Sequence, residues 1–156
     1  MGNTNCHILE VLLYSASTAM DVLIGTMLPR ILIADDNKAV RASIRSLLAP
    51  RADFEVCGEA GGGREAVEKA LELKPDLIIL DIAMPDLGGL AAGQLIKQSL
   101  PGARIVFLSV HEDRRWIQTA ALIGARGYVK KTESASVLLS AVDAVLQDQI
   151  FFPVLR

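Results

Sequence analysis

From Arg30 onward the chain alternates short, almost wholly apolar runs with longer stretches in which apolar residues recur every three or four positions. RILIA at 30–34 is β-rich and ends in two acids, after which Val40, Ile44, Leu47 and Leu48 follow helical spacing until Pro50 interrupts them. FEVCG at 54–58 alternates as an edge strand does, and Ala66, Val67, Ala70 and Leu71 mark a helix stopped by Pro75. DLIILD at 76–81 is nearly all apolar, the signature of a strand covered on both faces. A helix over Leu90 to Ser99, the strand RIVFLS at 104–109, a helix from Asp113 to Ile123, the strand GYVKK at 127–131 and a helix carrying Leu138, Ala141, Val142 and Val145 complete the pattern. Strands and helices in strict alternation predict a doubly wound α/β domain, with a parallel sheet, right-handed crossovers and helices on both faces.

The opening residues follow a different rule. Residues 1–28 carry no Lys or Arg and only two acids, Glu10 and Asp21, whereas all 16 basic residues and the other 16 acids lie from residue 29 on. Those two acids interrupt the apolar stretch from Ile8 to Leu28, and each would cost about 2.5–3.5 kcal/mol at the centre of a bilayer, which argues against a spanning helix. A signal peptide would need a positive start and an unbroken apolar core. Ile8, Leu9, Leu12 and Leu13 could form a helical stripe, but the stronger expectation is that Met27 is the natural start and residues 1–26 an over-extended one. The expected organisation is an extension at 1–28, a domain at 29–148 and a linker-like tail at 149–156.

Composition narrows the classes. A net charge of −2 excludes a general polybasic nucleic-acid binder, and Cys6 and Cys57 lack any disulfide or zinc spacing, which fits a reducing compartment. His7 and His111 have no second ligand at metal spacing. Trp116 and Leu122 on the fourth helix are expected to pack internally, with a partner surface as the second reading.

In a doubly wound sheet, functional groups collect where the strands end at their C-terminal edge. The first strand ends in Asp35-Asp36, the third in Asp81, the fourth in Ser109 and the fifth in Lys130-Lys131. Carboxylates brought within a few ångströms repel each other and either take up protons or bind a cation. An all-oxygen site with few protein ligands suits Mg²⁺, which keeps waters and leaves room for a phosphate oxygen. A lysine beside such a site fits as a phosphate partner, and a serine hydroxyl can donate to a further phosphate oxygen. The set is that of a phosphoryl-transfer site, in which a carboxylate can serve as nucleophile.

These segments, ILIADDNKAVR, DLIILDIAMPDLGG, IVFLSVHED and GARGYVKKTES, resemble the receiver domain of bacterial two-component response regulators, the subtype joined to LuxR/NarL-like DNA-binding domains above all. The resemblance covers residues 30–152 and implies a flavodoxin-like sheet of five strands in the order 2-1-3-4-5. It implies that Asp81 accepts the phosphoryl group of a phosphohistidine on a sensor kinase or phosphotransfer protein. Mg²⁺ would be held by Asp36, by Asp35 directly or through water, by Asp81 and by the backbone carbonyl of Ala83. Lys131 rather than Lys130 falls at the family's lysine, three positions after Tyr128. Ser109 would bind the phosphoryl group, and Tyr128 would turn inward behind it, altering the face made by the fourth helix, fifth strand and fifth helix, through which a homodimer could form. Thr132, Lys130 and Val110 depart from the common pattern, and Ala83 and His111 stand where the family tunes the lifetime of the acyl phosphate. The resemblance also implies a cytoplasmic protein that modifies itself and turns over no external substrate.

Three other readings are weighed against this one. Gly61-x-Gly63-x-x-Ala66, with Asp81 eighteen positions past Gly63, fits a loose dinucleotide fingerprint. Residues 58–60 are expected to separate it from its strand, and it leaves the other strand-end groups unexplained. A haloacid-dehalogenase-like phosphatase would need an acid where Ala83 stands. A receiver-like interaction module that no longer uses phosphate is opposed by the intact Asp36, Asp81, Ser109 and Lys131. DQIFFPVLR resembles the lead into a helix-turn-helix domain, but only three residues follow Pro153. The chain is therefore expected to be a single-domain receiver or a truncated regulator, with no direct nucleic-acid contact and no membrane association.

Overall fold

The computed structural model describes residues 27–154. The stripe at Ile8, Leu9, Leu12 and Leu13, together with Cys6 and His7, lies outside the described residues. Five strands, β1 (Arg30–Ala34), β2 (Glu55–Ala60), β3 (Leu77–Asp81), β4 (Arg104–Ser109) and β5 (Gly127–Lys130), form one sheet in the order β2-β1-β3-β4-β5. Every pairing is parallel. Helices α1 (Lys38–Leu48), α2 (Gly63–Leu73), α3 (Gly89–Ser99), α4 (Arg114–Ile123) and α5 (Ala135–Leu146) make the crossovers. The expected flavodoxin-like order and alternation are both present.

Alternation along each strand builds two cores. Ile31, Ile33, Leu77, Ile79, Val106, Leu108 and Val129 face α1 and α5, where Ile44, Leu48, Leu138, Val142 and Val145 close over them. Leu32, Ala34, Ile78, Leu80, Ile105, Phe107 and Tyr128 face α2, α3 and α4, meeting Ala66, Ala70, Ile96, Ile117 and Ala120. Each such aliphatic side chain taken from water contributes roughly 1.5–3 kcal/mol, so β1, β3 and β4 form a stiff platform under the loops at their ends.

Local signals set the boundaries. Asn37 caps α1, its side-chain oxygen accepting from the amides of Ala39 (2.9 Å) and Val40 (3.4 Å), so Asp35 and Asp36 are left free of capping duty. Asp113 caps α4 through the Arg115 amide, and Gly124, at φ 97°, ends it. β2 runs to Ala60 rather than stopping at Gly58, so no gap separates it from Gly61. The expected separation between strand and fingerprint is thus absent; a mixed Gly-Glu-Ala run reads as a turn because β2 is a half-exposed edge strand with one neighbour.

The other edge is not bare. Phe151 forms a parallel bridge to Gly127: its amide donates to the Arg126 carbonyl (2.8 Å) and its carbonyl accepts from the Tyr128 amide (2.8 Å). Pro153, which has no N–H, cannot extend that ladder. Among the described residues no helix is long and apolar enough to cross a membrane.

Candidate functional site

The carboxylates of Asp35, Asp36 and Asp81 meet at the C-terminal ends of β1 and β3, each offering an oxygen within 4.8 Å of the others. Asp35 and Asp81 are buried and Asp36 is exposed. Lys131, just past the end of β5, reaches in from the opposite side, its Nζ 2.7 Å from Asp35 Oδ2 and 3.2 Å from Asp81 Oδ2. Lys130 turns away to Glu112 at 3.7 Å, so the structure places Lys131 at the acids, as the spacing from Tyr128 implies.

Asp35 is fixed at nearly every handle. Its amide donates to the Ala60 carbonyl (3.1 Å), its Oδ1 accepts from the Asn37 amide (2.8 Å), and its carbonyl accepts from Arg41 Nη1 (2.7 Å). Its Oδ2 is buried and has only the Lys131 ammonium, 2.7 Å away, against it. A buried carboxylate oxygen left in this state beside two other acids suits a bound cation, and three carboxylates are hard-oxygen donors. The residues present therefore fit a small divalent metal.

Asp81 is held loosely by comparison. The Ala83 amide donates to its Oδ1 at 3.3 Å. Burial, then repulsion from Asp35, raises its pKa above the ordinary carboxylate value, partly opposed by Lys131. Lys131 is pushed down by burial, but its contacts with Asp35 and Asp81 outweigh that and raise it, so it stays a cation at neutral pH. A carboxylate that is costly to ionise lies next to a fixed positive charge.

Ser109 ends β4, fully buried, with its Oγ accepting from the His111 amide at 3.0 Å. Tyr128 already points inward: it is 1% exposed and its hydroxyl donates to the His111 carbonyl at 2.8 Å. His111 in turn stacks on Trp116, with ring centroids 4.4 Å apart and planes 14° from parallel. Trp116 packs against the core, whereas Leu122 is 87% exposed. Ala83 lies exposed two positions after Asp81, and the peptide bond between Lys131 and Thr132 is trans.

The glycine fingerprint serves a different purpose. The Asp86 carboxylate sits at the start of α2 and accepts from the Gly63 amide (3.1 Å) and from Leu87 (2.7 Å), where a dinucleotide phosphate would have to bind. A Cβ on Gly63 would come within 1.8 Å of the Leu87 carbonyl oxygen, so this glycine allows α2 to close against the β3–α3 connection. Asp86 and Arg41 were not among the residues singled out from the sequence. Asp86 at φ 65° reads as an ordinary turn acid, and Arg41 acts on a backbone carbonyl, which leaves no pattern in side-chain types.

Comparison with known proteins agrees with this geometry. Residues 31–143 match the response regulator receiver domain family. The chain is 36% identical over 123 residues to the response regulator protein VraR of Staphylococcus saprophyticus, covering 79% of this chain and 59% of that protein. It is 39% identical over 113 residues to VraR of Staphylococcus aureus, covering 72% of this chain and 54% of the relative. The chain thus spans somewhat more than half the length of these curated relatives. Among solved structures, a LuxR-family two-component response regulator from an Aurantimonas species superposes with a TM-score of 0.77 at 31% identity, covering 80% of this chain and 89% of that one. The response regulator domain of Thermotoga maritima CheB superposes with a TM-score of 0.72 at 31% identity, covering 78% and 98%. With five strands in the order 2-1-3-4-5 and an acid cluster at their ends, the chain belongs to the response regulator receiver domain family.

Proposed function

We propose that this chain is a Mg²⁺-dependent phosphoacceptor that takes a phosphoryl group from a phosphohistidine of a sensor kinase or phosphotransfer protein onto Asp81. The observation that carries the reading is Lys131 held between Asp35 and Asp81, at 2.7 and 3.2 Å, beside a cluster of three carboxylates. Asp35, Asp36, Asp81 and the Ala83 carbonyl would hold the metal, which when bound supplies positive charge to the phosphoryl oxygens. An oxygen of Asp81 attacks phosphorus as the phosphorus–nitrogen bond to the donor imidazole breaks, and the imidazole keeps the electron pair and is protonated. Lys131, fixed as a cation, pairs with phosphoryl oxygens. The Ser109 hydroxyl, whose oxygen already accepts from the His111 amide, has its proton available for a further phosphoryl oxygen.

Ser109 and Tyr128 then act as the switch, because Tyr128 is bonded to the carbonyl of the residue whose amide holds Ser109. The face of α4, β5 and α5 is the surface through which a homodimer would form. In this reading the protein is cytoplasmic, catalyses only its own phosphorylation and slow dephosphorylation, and signals through altered protein contacts. Incubation with Mg²⁺ and a small acyl-phosphate donor, followed by intact mass measurement, tests it. Wild type should gain one phosphoryl group and Asp81→Ala none; an unlabelled wild type, or equal labelling of the variant, overturns the assignment.

A further inference from the structure

Arg41 lies on the second turn of α1, outside the acid cluster, yet its guanidinium turns back toward it. Nη1 donates to the backbone carbonyl of Asp35 at 2.7 Å, and Nε donates to Glu59 Oε1 on β2 at 3.3 Å. The side chain is only 18% exposed. Glu59 is itself tied to Arg45, 2.8 Å away. The Asp35 carbonyl belongs to the peptide that joins Asp35 to Asp36, so whatever holds that oxygen sets the direction in which both acids leave the end of β1. The other Asp35 contacts cannot substitute for it, because the Ala60 carbonyl holds the amide on the near side and Asn37 holds Oδ1.

We infer that Arg41, braced by Glu59, is a positioning residue for the metal site: it orients the Asp35–Asp36 peptide so that both carboxylates face Asp81. The inference rests on the phosphoacceptor reading above but concerns a residue that reading does not use. Because Glu59 pairs with the guanidinium, what Arg41 supplies is mainly a rigid planar fork rather than free charge, and lysine, with a single-point ammonium, should replace it only in part.

The test is Mg²⁺ titration by calorimetry of the full chain, with Arg41→Ala, Arg41→Lys and Arg45→Ala beside wild type. Arg45→Ala is the control, since it removes a Glu59 partner without touching Asp35. Outer residues that orient metal ligands commonly account for 10–100-fold in affinity, so Arg41→Ala should weaken Mg²⁺ binding by about tenfold. Arg41→Lys should recover part of that, and Arg45→Ala should stay within about twofold, as an exposed pair does. Equal Mg²⁺ affinity in wild type and Arg41→Ala, or equal losses in Arg41→Ala and Arg45→Ala, overturns the inference. Should Arg41→Ala fail to fold, Arg41→Gln and Glu59→Gln decide: Mg²⁺ affinity at the wild-type value in both overturns it too. A wild type that binds no Mg²⁺ and takes no label on Asp81 defeats the phosphoacceptor reading itself, which is a different result.

Discussion

Asp81 and Asp86 stand five positions apart on one connection, and their surroundings push them in opposite directions. Asp81 is buried, receives one long amide contact and faces another carboxylate, so its pKa is raised. Asp86 is exposed, receives the Leu87 and Gly63 amides at 2.7 and 3.1 Å, and its pKa is lowered by those bonds. One acid is satisfied by backbone amides and holds α2 to the β3–α3 connection; the other is buried against Asp35, with Lys131 3.2 Å away as its charged partner. A carboxylate held by fixed amides acts as a brace, whereas one buried against a second carboxylate is costly to ionise, and a perturbed acid of that kind marks a candidate site.

The largest effect expected on the brace side comes from Gly63→Ala. The added methyl would sit 1.8 Å from the Leu87 carbonyl oxygen, backbone that cannot yield as a side chain tip would. Stability should fall by about 3 kcal/mol, the upper end of ordinary overpacking, measured as the urea midpoint. A loss below about 0.5 kcal/mol, the size of a neutral surface change, would show that the junction is slack.

On the site side the corresponding lever is the metal. At a Mg²⁺ concentration of 100 times its Kd, wild type should gain about 2.7 kcal/mol of stability in thermal or urea unfolding. Asp81→Asn should lose most of that gain and Asp86→Asn none of it. Equal Mg²⁺ responses in the two variants would break the distinction between the two acids.

That distinction was only half legible from the sequence. Buried strands such as LIILD announce themselves because both faces must be apolar, and with them come the rim and its occupants Asp35, Asp36, Asp81, Ser109 and Lys131. β2 outruns its apolar alternation because Gly58-Glu59-Ala60 is half exposed and chemically turn-like, and Gly61 therefore follows its strand directly with no pattern to announce it. What rules out a dinucleotide there is Asp86, which reaches across 23 positions to Gly63, a pairing that no local pattern carries. The Phe151 bridge and the Arg41 contact escape for the same reason: each is a side chain or edge meeting distant backbone, and backbone is identical at every residue. The expectation that Tyr128 turns inward behind the phosphoryl group meets a structure in which it is inward already, bonded to His111.

Removing the Asp81 charge should stabilise the metal-free protein. Its folded-state pKa lies above the ordinary 3.8, so the folded protein holds the proton more tightly than the unfolded chain does, and stability drops as pH rises from that ordinary value through the folded one. At neutral pH the penalty is fully present. Asp81→Asn in EDTA should therefore melt a few degrees above wild type at pH 7, with the gap closing as pH is lowered through the raised pKa. A variant that melts below wild type at pH 7 would mean that the Lys131 contact outweighs burial and repulsion.

The smallest effect, and the sharpest test of the comparison, is Asp86→Asn with the sign reversed. Asparagine keeps an acceptor oxygen for the Gly63 and Leu87 amides and tolerates φ 65°, so this change removes charge and little else. The folded-state pKa of Asp86 is depressed, so its contribution is present above the ordinary 3.8 and is lost as pH falls through the folded value. Asp86→Asn should thus melt slightly below wild type at pH 7 and draw level in acid. Plotted against pH, the two variants approach wild type from opposite sides, Asp81→Asn from above and Asp86→Asn from below. If both approached from the same side, burial and amide bonding would not be what sets these two acids apart.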